Sequence, residues 1–479
     1  MNALFSHSPD RLLLTLRLGE MPEHIPGWLA CSHFGAAPAQ RIDGGVIDRL
    51  LRHHGGAMRV MRVHSARARR SERNAPGAYR FDEAEQLSGV ARVLRIQVRD
   101  RERLPLLLRA LAEVPNVERV SANYLAATPF HALPTRVESG HGDAGERNPR
   151  WVRECTRIDE ALACEPGDPA VVIGLADTGV ALRHAELQQR LRAGFDSVNL
   201  DPQTVGDLRL VGDYRHAGEQ PQDEVGHGSG CAGILVARGQ GMPTGAAGAC
   251  GLTPVRVLGA ALSAGDKRIG VGALDNIDAG MKRLIDLGAK VINMSFGTPA
   301  SALLPDAPLP HEEIVRYALA RGVILVAASG NSGLHERYFP AAHAGVIAVG
   351  AIDRSLSPAA FSTRGEHVAL CAPGRDIRTC GLDGYQHATG TSFAAPFVAA
   401  ACALLAARAQ RRAWPLGSED AHRLLLHSAR PFARAGIAGS GGGVLDVMAA
   451  LRALDAEIDA FVQGETQDDP SSTALLAAA

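Results

Sequence analysis

Lysine is nearly absent from this 479-residue sequence: only Lys267, Lys282 and Lys290 are lysines among its 50 basic residues. Basic and acidic side chains nearly balance, and the formal net charge is −1. A chain with so little excess charge has no field that would attract the phosphates of nucleic acid or an anionic membrane surface. We therefore expect neither nucleic acid nor a membrane as a partner.

The sequence also lacks a long hydrophobic run. No stretch approaches the roughly 18 uninterrupted apolar residues of a membrane-spanning helix. Near the N-terminus, Asp10, Arg11, Arg17 and Glu20 interrupt the apolar residues, so the apolar core of a signal peptide is missing. Taken literally, this predicts a cytoplasmic protein, whereas secretion would require that Met1 is not the true start.

Cysteine pairs with metal-ligand spacing are a third absence. The eight cysteines form no Cys-x-x-Cys pair, so we expect free thiols and no cysteine metal site.

The chain is long enough, and at 46% hydrophobic residues apolar enough, for two or three domains. In residues 1–127 the apolar patterns follow the order β-α-β-β-α-β, which predicts a small α+β unit with a ferredoxin-like fold. Residues 128–148 are rich in Pro, Gly, His and charge, so they predict an exposed linker. Residues 149–455 form a large unit, and residues 456–479 predict a flexible tail.

The large unit alternates short apolar runs with helical segments. Such near-continuous apolar runs are typical of parallel strands buried on both faces. They are Ala170–Leu175, Leu252–Val257, Val291–Met294, Val323–Ala327 and Val346–Val349. The pattern predicts a doubly wound α/β domain with a mostly parallel sheet and helices on both faces.

Four short motifs occur in this unit. They contain an aspartate at a strand end, a histidine at a glycine-rich helix start, an asparagine after an apolar strand, and a serine that opens an Ala-rich helix. The motifs are Gly174–Val180 around Asp177, Gly226–Gly233 around His227, Ala328–Gly333 around Asn331, and Gly390–Pro396 around Ser392.

These residue types match the needs of acyl transfer at a peptide bond. A serine hydroxyl such as that of Ser392 is a poor nucleophile without a base, and the imidazole of His227 has a suitable pKa. A carboxylate, here Asp177, fixes the tautomer of the imidazole and stabilises its charged form. The amide of Asn331, together with a backbone N–H, can stabilise the oxyanion.

In this order the motifs resemble those of the subtilisin-like (S8) serine peptidases, from about Asn148 to Leu451. The resemblance implies Asp177, His227 and Ser392 as the catalytic triad and Asn331 as the oxyanion-hole asparagine. It also implies a polypeptide substrate and an acyl-enzyme on Ser392. By the same analogy, six residues flank the substrate and pair with its backbone: Ser295, Phe296, Gly297, Ala328, Ser329 and Gly330.

The resemblance extends to the N-terminal unit. Residues 1–127 look like the inhibitory prodomain of the family, and Pro115–Asn123 is typical of its closing strand. The chain's own prodomain is thus an expected partner, and the linker 128–148 is the expected processing site.

The motif around His227 departs from the usual family pattern. The family usually has Gly-Thr-His after the catalytic histidine, whereas this chain has Gly228, Ser229 and Gly230. Cys231 resembles the cysteine that proteinase K and kexin-type members carry beneath this histidine. We interpret Cys231 as a small buried hydrophobe rather than as a redox or regulatory group.

Calcium commonly stabilises this family, but no calcium loop is evident here. The segment Gly233–Gly245 contains no carboxylate. Clustered carboxylate oxygens suit calcium, and four aspartates lie close in sequence: Asp196, Asp201, Asp207 and Asp213. Their spacing fits no ligand loop, so it favours a solvated surface. We predict no required cofactor and no metal site.

Two alternatives stay open beside a prodomain-regulated endopeptidase. The chain can be a dedicated maturation protease or a peptide cyclase, in which an amine replaces water at the acyl-enzyme. It can also be a pseudo-protease that serves as a binding scaffold, against which the intact set of Asp177, His227, Asn331 and Ser392 argues.

Overall fold

The computed structural model describes residues 7–67, 80–128, 136–137, 150–205, 208–215, 220–263, 266–434 and 437–468. The helices are α1 (Trp28–His33), α2 (Val46–Leu50), α3 (Glu83–Ser88), α4 (Leu104–Ala112), α5 (Arg150–Thr156), α6 (Ile158–Cys164), α7 (His227–Val236), α8 (Leu274–Asp286), α9 (Glu312–Ala320), α10 (Thr391–Arg411), α11 (Ser418–Ser428) and α12 (Val447–Asp468). The strands are β1 (His7–Leu16), β2 (Met58–Arg62), β3 (Val93–Val98), β4 (Val117–Ala127), β5 (Arg136–Val137), β6 (Val172–Asp177), β7 (Phe195–Asp196), β8 (Arg209–Leu210), β9 (Gly251–Arg256), β10 (Gly259–Leu262), β11 (Arg268–Ala273), β12 (Val291–Met294), β13 (Thr298–Pro299), β14 (Ile324–Ala328), β15 (Tyr338–Phe339), β16 (Val346–Ile352), β17 (Val368–Pro373), β18 (Ile377–Cys380) and β19 (Tyr385–Ala388).

The N-terminal unit is an antiparallel sheet with helices. Its strands have the order β2-β3-β1-β4, and all neighbours are antiparallel. Helix α4 turns Leu104, Leu107, Leu108 and Leu111 inward, the spacing that puts side chains on one helix face. A capping box between Asp82 and Glu85 starts α3. This order fits a split β-α-β unit.

The large unit is built on a seven-stranded parallel sheet with the order β17-β16-β14-β12-β6-β9-β7. Alternate strand residues face two separate cores. Ile173 and Val326 pack with α7 and α10 on one face, whereas Ile292 and Leu325 pack with α8 and α9 on the other. Helices on both faces make this a doubly wound α/β domain, as the sequence predicted.

Helix α10 is the central helix of the first core. By length and composition it could cross a membrane, the one such helix within the described residues. However, 94% of its most apolar window is buried inside the protein.

The chain end differs from the sequence prediction. The predicted boundary at residue 455 cuts through α12, which continues to Asp468. Leu454 and Ile458 are buried, and the ring of Phe461 lies 5.1 Å from that of Trp414. Residues 456–468 are thus part of a helix, and residues 469–479 lie outside the described part.

The two units share one sheet. After the N-terminal unit, β4 continues beside β11 of the large unit, and the sheet runs on through β10 to β8. Most of the predicted linker 128–148 lies outside the described residues. Within it, Thr128 extends β4, and β5 pairs antiparallel with β19.

Candidate active site

Asp177 is the last residue of β6, a strand whose six residues are all buried. Its side chain is 0% exposed at the carboxyl end of the sheet, next to β12 and β9. The turn that follows contains Gly179 at φ +94°, where a Cβ would lie 2.4 Å from the carbonyl oxygen of Pro221. A buried strand end and a glycine turn therefore fix the carboxylate at the edge where parallel sheets bind ligands.

His227 is the first residue of α7 and contacts this carboxylate. Its Nδ1–H donates to Asp177 Oδ1 at 2.7 Å, while Nε2 has no hydrogen-bond partner within the described residues. Burial alone would lower the pKa of His227, but the charge and the hydrogen bond of Asp177 more than offset burial and raise this pKa above its usual value. The bond to Asp177 leaves Nε2 available to accept a proton.

Asp223, which the sequence analysis missed, holds the start of α7. Its Oδ1 accepts from Thr178 Oγ1 at 2.8 Å and from the amides of Val225 and Gly226 at 2.8 and 3.0 Å. Its Oδ2 accepts from the amide and the hydroxyl of Ser229 at 2.9 and 2.7 Å. A buried carboxylate that satisfies helix N-terminal amides is a capping signal, and it positions His227.

Ser392 is the second residue of α10 and is 1% exposed. Its hydroxyl donates to the carbonyl oxygen of Ser295 at 3.2 Å. The carbonyl oxygen of Ser392 accepts from Ser295 Oγ at 2.9 Å and from Cys231 Sγ at 3.3 Å. The hydroxyl of Ser392 is thus bonded to Ser295 rather than to His227, so attack requires it to rotate towards Nε2.

Asn331 lies beside the residue that precedes the serine. Its Oδ1 accepts from the amide of Thr391 at 2.9 Å and from Thr391 Oγ1 at 2.9 Å. These bonds use the side-chain oxygen, and the NH₂ group is the end of the amide that can donate to an oxyanion. A Cβ at Gly390 would lie 3.0 Å from Asn331 Nδ2, so glycine keeps that approach open.

Comparison with known proteins assigns this chain to a family. The family model "Subtilase family" matches residues 168–452. A thermophilic serine proteinase of Bacillus sp. (strain AK1) is 33% identical over 304 residues, which are 63% of this chain and 66% of that relative. Subtilisin BL of Lederbergia lenta is 35% identical over 49% of this chain and 76% of its own length. The chain belongs to the subtilase family of serine peptidases.

A solved structure shows the same fold. The prenylagaramide maturation protease PagA has a TM-score of 0.50 and 23% identity, over 62% of this chain and 98% of that one. The match to the Bacillus proteinase covers slightly less than two thirds of that relative's length.

The predicted substrate-flanking residues of this subtilase lie on two sides of Thr391 and Ser392. Ser295 contacts Ser392 directly, and Phe296 is fully buried in the core. Ala328 ends β14, Ser329 Oγ donates to the carbonyl of Thr363 at 3.1 Å, and the amide of Gly330 donates to Thr391 Oγ1 at 3.2 Å.

Gly297 pairs with the chain's own β4. Its amide donates to Ala127 O at 3.2 Å, and its carbonyl accepts from the amide of Ala127 at 3.3 Å. On the other side of β4, Ala127 lies opposite Val271, and the amide of Thr128 donates to Gly270 O at 3.0 Å. Residues 125–128 therefore fill a cleft between β11 and Gly297.

The sequence analysis did not predict that β11 forms one side of the cleft. Gly270 and Gly272 alternate along this strand, and a Cβ at Gly272 would lie 2.5 Å from Val257 O. Glycines at alternate positions of a strand are a signal of close backbone approach.

The cysteine and glycine that follow His227 are both buried. A Cβ at Gly230 would lie 2.9 Å from Phe393, whose ring is 5.2 Å from that of His227. Phe393 thus fills the space of the missing side chain. Cys231 is 0% exposed, and burial raises the pKa of its thiol well above the usual value. A thiol held protonated behaves as a small hydrophobe with a weak donor.

The donor atoms of Asp177, His227 and Cys231 lie within 4.8 Å of one another, a grouping of metal-ligating types. All three side chains already form hydrogen bonds: His227 Nδ1 with Asp177, and Cys231 Sγ with the carbonyl oxygen of Ser392.

One of the four aspartates predicted to form a solvated surface, Asp196, requires a correction. Asp196 is 3% exposed and pairs with Arg256 at 2.6 Å. The same guanidinium donates to the carbonyl of Asp213 at 2.6 Å and to Glu224 at 2.7 Å. A buried carboxylate needs a counter-charge, and Arg256 supplies it. Asp207 lies outside the described residues.

Proposed function

We propose that this subtilase is a serine endopeptidase that cleaves extended polypeptides through an acyl-enzyme on Ser392, and that its N-terminal unit is an inhibitory prodomain. The observation that carries the proposal is the placement of Leu125–Thr128. These residues run antiparallel to Gly297 and β11, in the cleft whose next residues towards Ser392 are Phe296 and Ser295. An extended chain in this cleft is the geometry of β-strand addition.

The chemistry follows from the positions of the side chains. The hydroxyl of Ser392 leaves the carbonyl of Ser295, gives its proton to His227 Nε2, and its oxygen bonds to the substrate carbonyl carbon. Asp177 stabilises the imidazolium, and the Asn331 NH₂ with the backbone N–H of Ser392 stabilises the oxyanion. His227 then protonates the leaving amine. Water, deprotonated by the same imidazole, hydrolyses the acyl-enzyme and releases the acid.

Contacts between the two units support the prodomain role. Asp275, in the first turn of α8, accepts from Arg95 at 2.8 Å and from Asn123 at 2.9 Å. Lys282 of α8 donates to Glu85 of α3 at 2.6 Å, and both side chains are at most 3% exposed. Buried, fully paired charges across a boundary fix one relative position of the two units.

The first test compares the intact mass of purified wild type with that of Ser392→Ala. We expect wild type to lose its N-terminal unit by a cut in the linker 128–148, and the variant to stay full length with an unchanged circular dichroism spectrum. If both stay full length, reaction of wild-type Ser392 with a fluorophosphonate separates a latent enzyme from a pseudo-protease. No reaction with native wild type would contradict the proposal.

A second candidate is a dedicated maturation protease, which the small and buried side chain of Ala126 in the cleft favours, since a position that accepts only a small residue restricts substrates. A casein assay distinguishes the two: a general endopeptidase degrades casein, whereas a dedicated enzyme leaves it intact.

A further inference from the structure

The strand that fills the cleft places its side chains in distinct environments. Ala126 is 2% exposed and belongs to the same apolar cluster as Leu258, Ile277 and Phe296. Its partner across the ladder is Gly272, and a Cβ there would lie 2.8 Å from Leu258 and 3.1 Å from Ile277. These distances show that the space beside Ala126 is already filled. A larger side chain at this position would be unfavourable, because close-packed neighbours move little to make room for it.

Thr128 is held by its hydroxyl as well as by its backbone. Its amide donates to the carbonyl of Gly270 at 3.0 Å, and its Oγ1 accepts from the amide of Gly270 at 3.2 Å. Thr128 is 6% exposed, and Gly270 is buried. A side chain without an acceptor at this position would leave the buried amide of Gly270 without this hydrogen bond. A buried N–H without a partner costs more free energy than one at the surface, where water can accept the bond.

The direction of the strand relates these positions to the reacting serine. Ala127 lies opposite Gly297, and Ser295, whose carbonyl accepts the hydroxyl of Ser392, is two residues earlier in its own strand. In an antiparallel pair, a step forward in one strand is a step back in the other. A chain in this register thus reaches Ser392 one residue after the position of Thr128.

We infer that the cleft prefers substrates with a small residue at the position of Ala126 and a hydroxyl residue, threonine or serine, at the position of Thr128. The bond cut then follows the next residue. This preference rests on the proposed function, since it treats the strand as an occupant of the substrate cleft. Half-buried Ala127 lies between the two selective positions.

The test uses internally quenched peptides in which the sequence Leu-Ala-Ala-Thr-Leu, numbered as residues 125–129 of the chain, is followed by two alanines, and the wild-type enzyme as purified. Leucine replaces Pro129, because proline has no N–H to donate to the carbonyl of Ser295. Pairs of peptides compete in one tube, so the ratio of their kcat/KM values does not depend on how much enzyme is active. Varying the peptide also leaves the fold of the enzyme untouched.

We expect Thr128→Val in the peptide to lower kcat/KM about fivefold or more, since valine keeps the shape and loses the acceptor. Thr128→Ser should retain most of the activity. Ala126→Leu should lower kcat/KM about tenfold or more, whereas the matched control Ala127→Leu should change it less than about threefold.

The outcomes separate the preference from the function. If Ser392 reacts with a fluorophosphonate but the valine and leucine peptides are cut as fast as the parent, or no peptide is cut, the preference is overturned and the peptidase stands. If Ser392 does not react and no peptide is cut, the proposed function fails, and the preference fails with it.

Discussion

The triad and the boundary between the two units both bury charged side chains. They differ in whether the buried polar atoms of these side chains have hydrogen-bond partners. At the boundary, Glu85 accepts from Lys282, and also from the amides of Arg67 and Asp82 at 2.9 and 2.7 Å. In the triad, Asp177 Oδ2 and His227 Nε2 are buried without a hydrogen-bond partner among the described residues.

This difference is expected if the charged side chains at the boundary stabilise the structure and those of the triad take part in catalysis. A buried polar atom without a partner costs free energy, so most proteins pair such atoms, as Glu85 and Lys282 are paired at the boundary. An acceptor left open beside a nucleophile is useful because it is the atom that takes the proton. The comparison predicts that changes in the triad affect rate with little effect on stability, and that changes at the boundary do the reverse.

The largest effect is expected from Asp177→Asn. The amide favours the wrong tautomer of His227, so kcat should fall about 10⁴-fold while the unfolding transition changes little. The base must be neutral to act, and Asp177 raises the pKa of His227, so wild-type activity should increase with pH through a pKa above 6.5. In the variant this acid limb should move to lower pH. A pH–rate profile checks both, and an unmoved limb would contradict the role of Asp177.

Lys282→Met tests the boundary, in the background of Ser392→Ala so that the N-terminal unit stays attached. Removal of one partner of a buried pair should cost about 3–5 kcal/mol of unfolding free energy, because Glu85 stays buried without its counter-charge. Urea denaturation measures this loss.

The matched control is Arg209→Ala, which breaks the pair with Asp266, whose two side chains are 70% and 84% exposed. Exposed pairs contribute little, so the control should change unfolding by about 0.5 kcal/mol at most. Equal losses in the two variants would show that the buried pair is not what holds the boundary.

Asn331→Ala tests a second group of the proposed catalytic centre, the oxyanion donor. Loss of one oxyanion donor should reduce kcat about 10²–10³-fold, the range known for this position in subtilisin, with KM nearly unchanged. Because Asn331 also accepts from Thr391, a thermal melt is the necessary control. A variant of normal rate would remove Asn331 from the oxyanion hole.

Much of the fold could be predicted from local patterns. The strand Val291–Met294 has the bounds that its apolar run indicates. Such runs depend only on nearest neighbours along the chain and on burial of both sheet faces. The tail predicted from residue 456 differs from the structure, where α12 continues to Asp468 and Phe461 contacts Trp414, 47 residues away in the chain, a contact that no local pattern indicates.

The sequence by itself singled out the side chains of the candidate centre, since Asp177, His227, Asn331 and Ser392 each stand in a short motif that can be read along the chain. Only the tertiary structure decided three further features. They are the capping of α7 by Asp223, the charge that Arg256 places beside Asp196, and the position of Ala126 and Thr128 between β11 and Gly297. Each joins residues whose sequence spacing has no period and no motif, so these contacts exist only once the sheet has brought distant strands together.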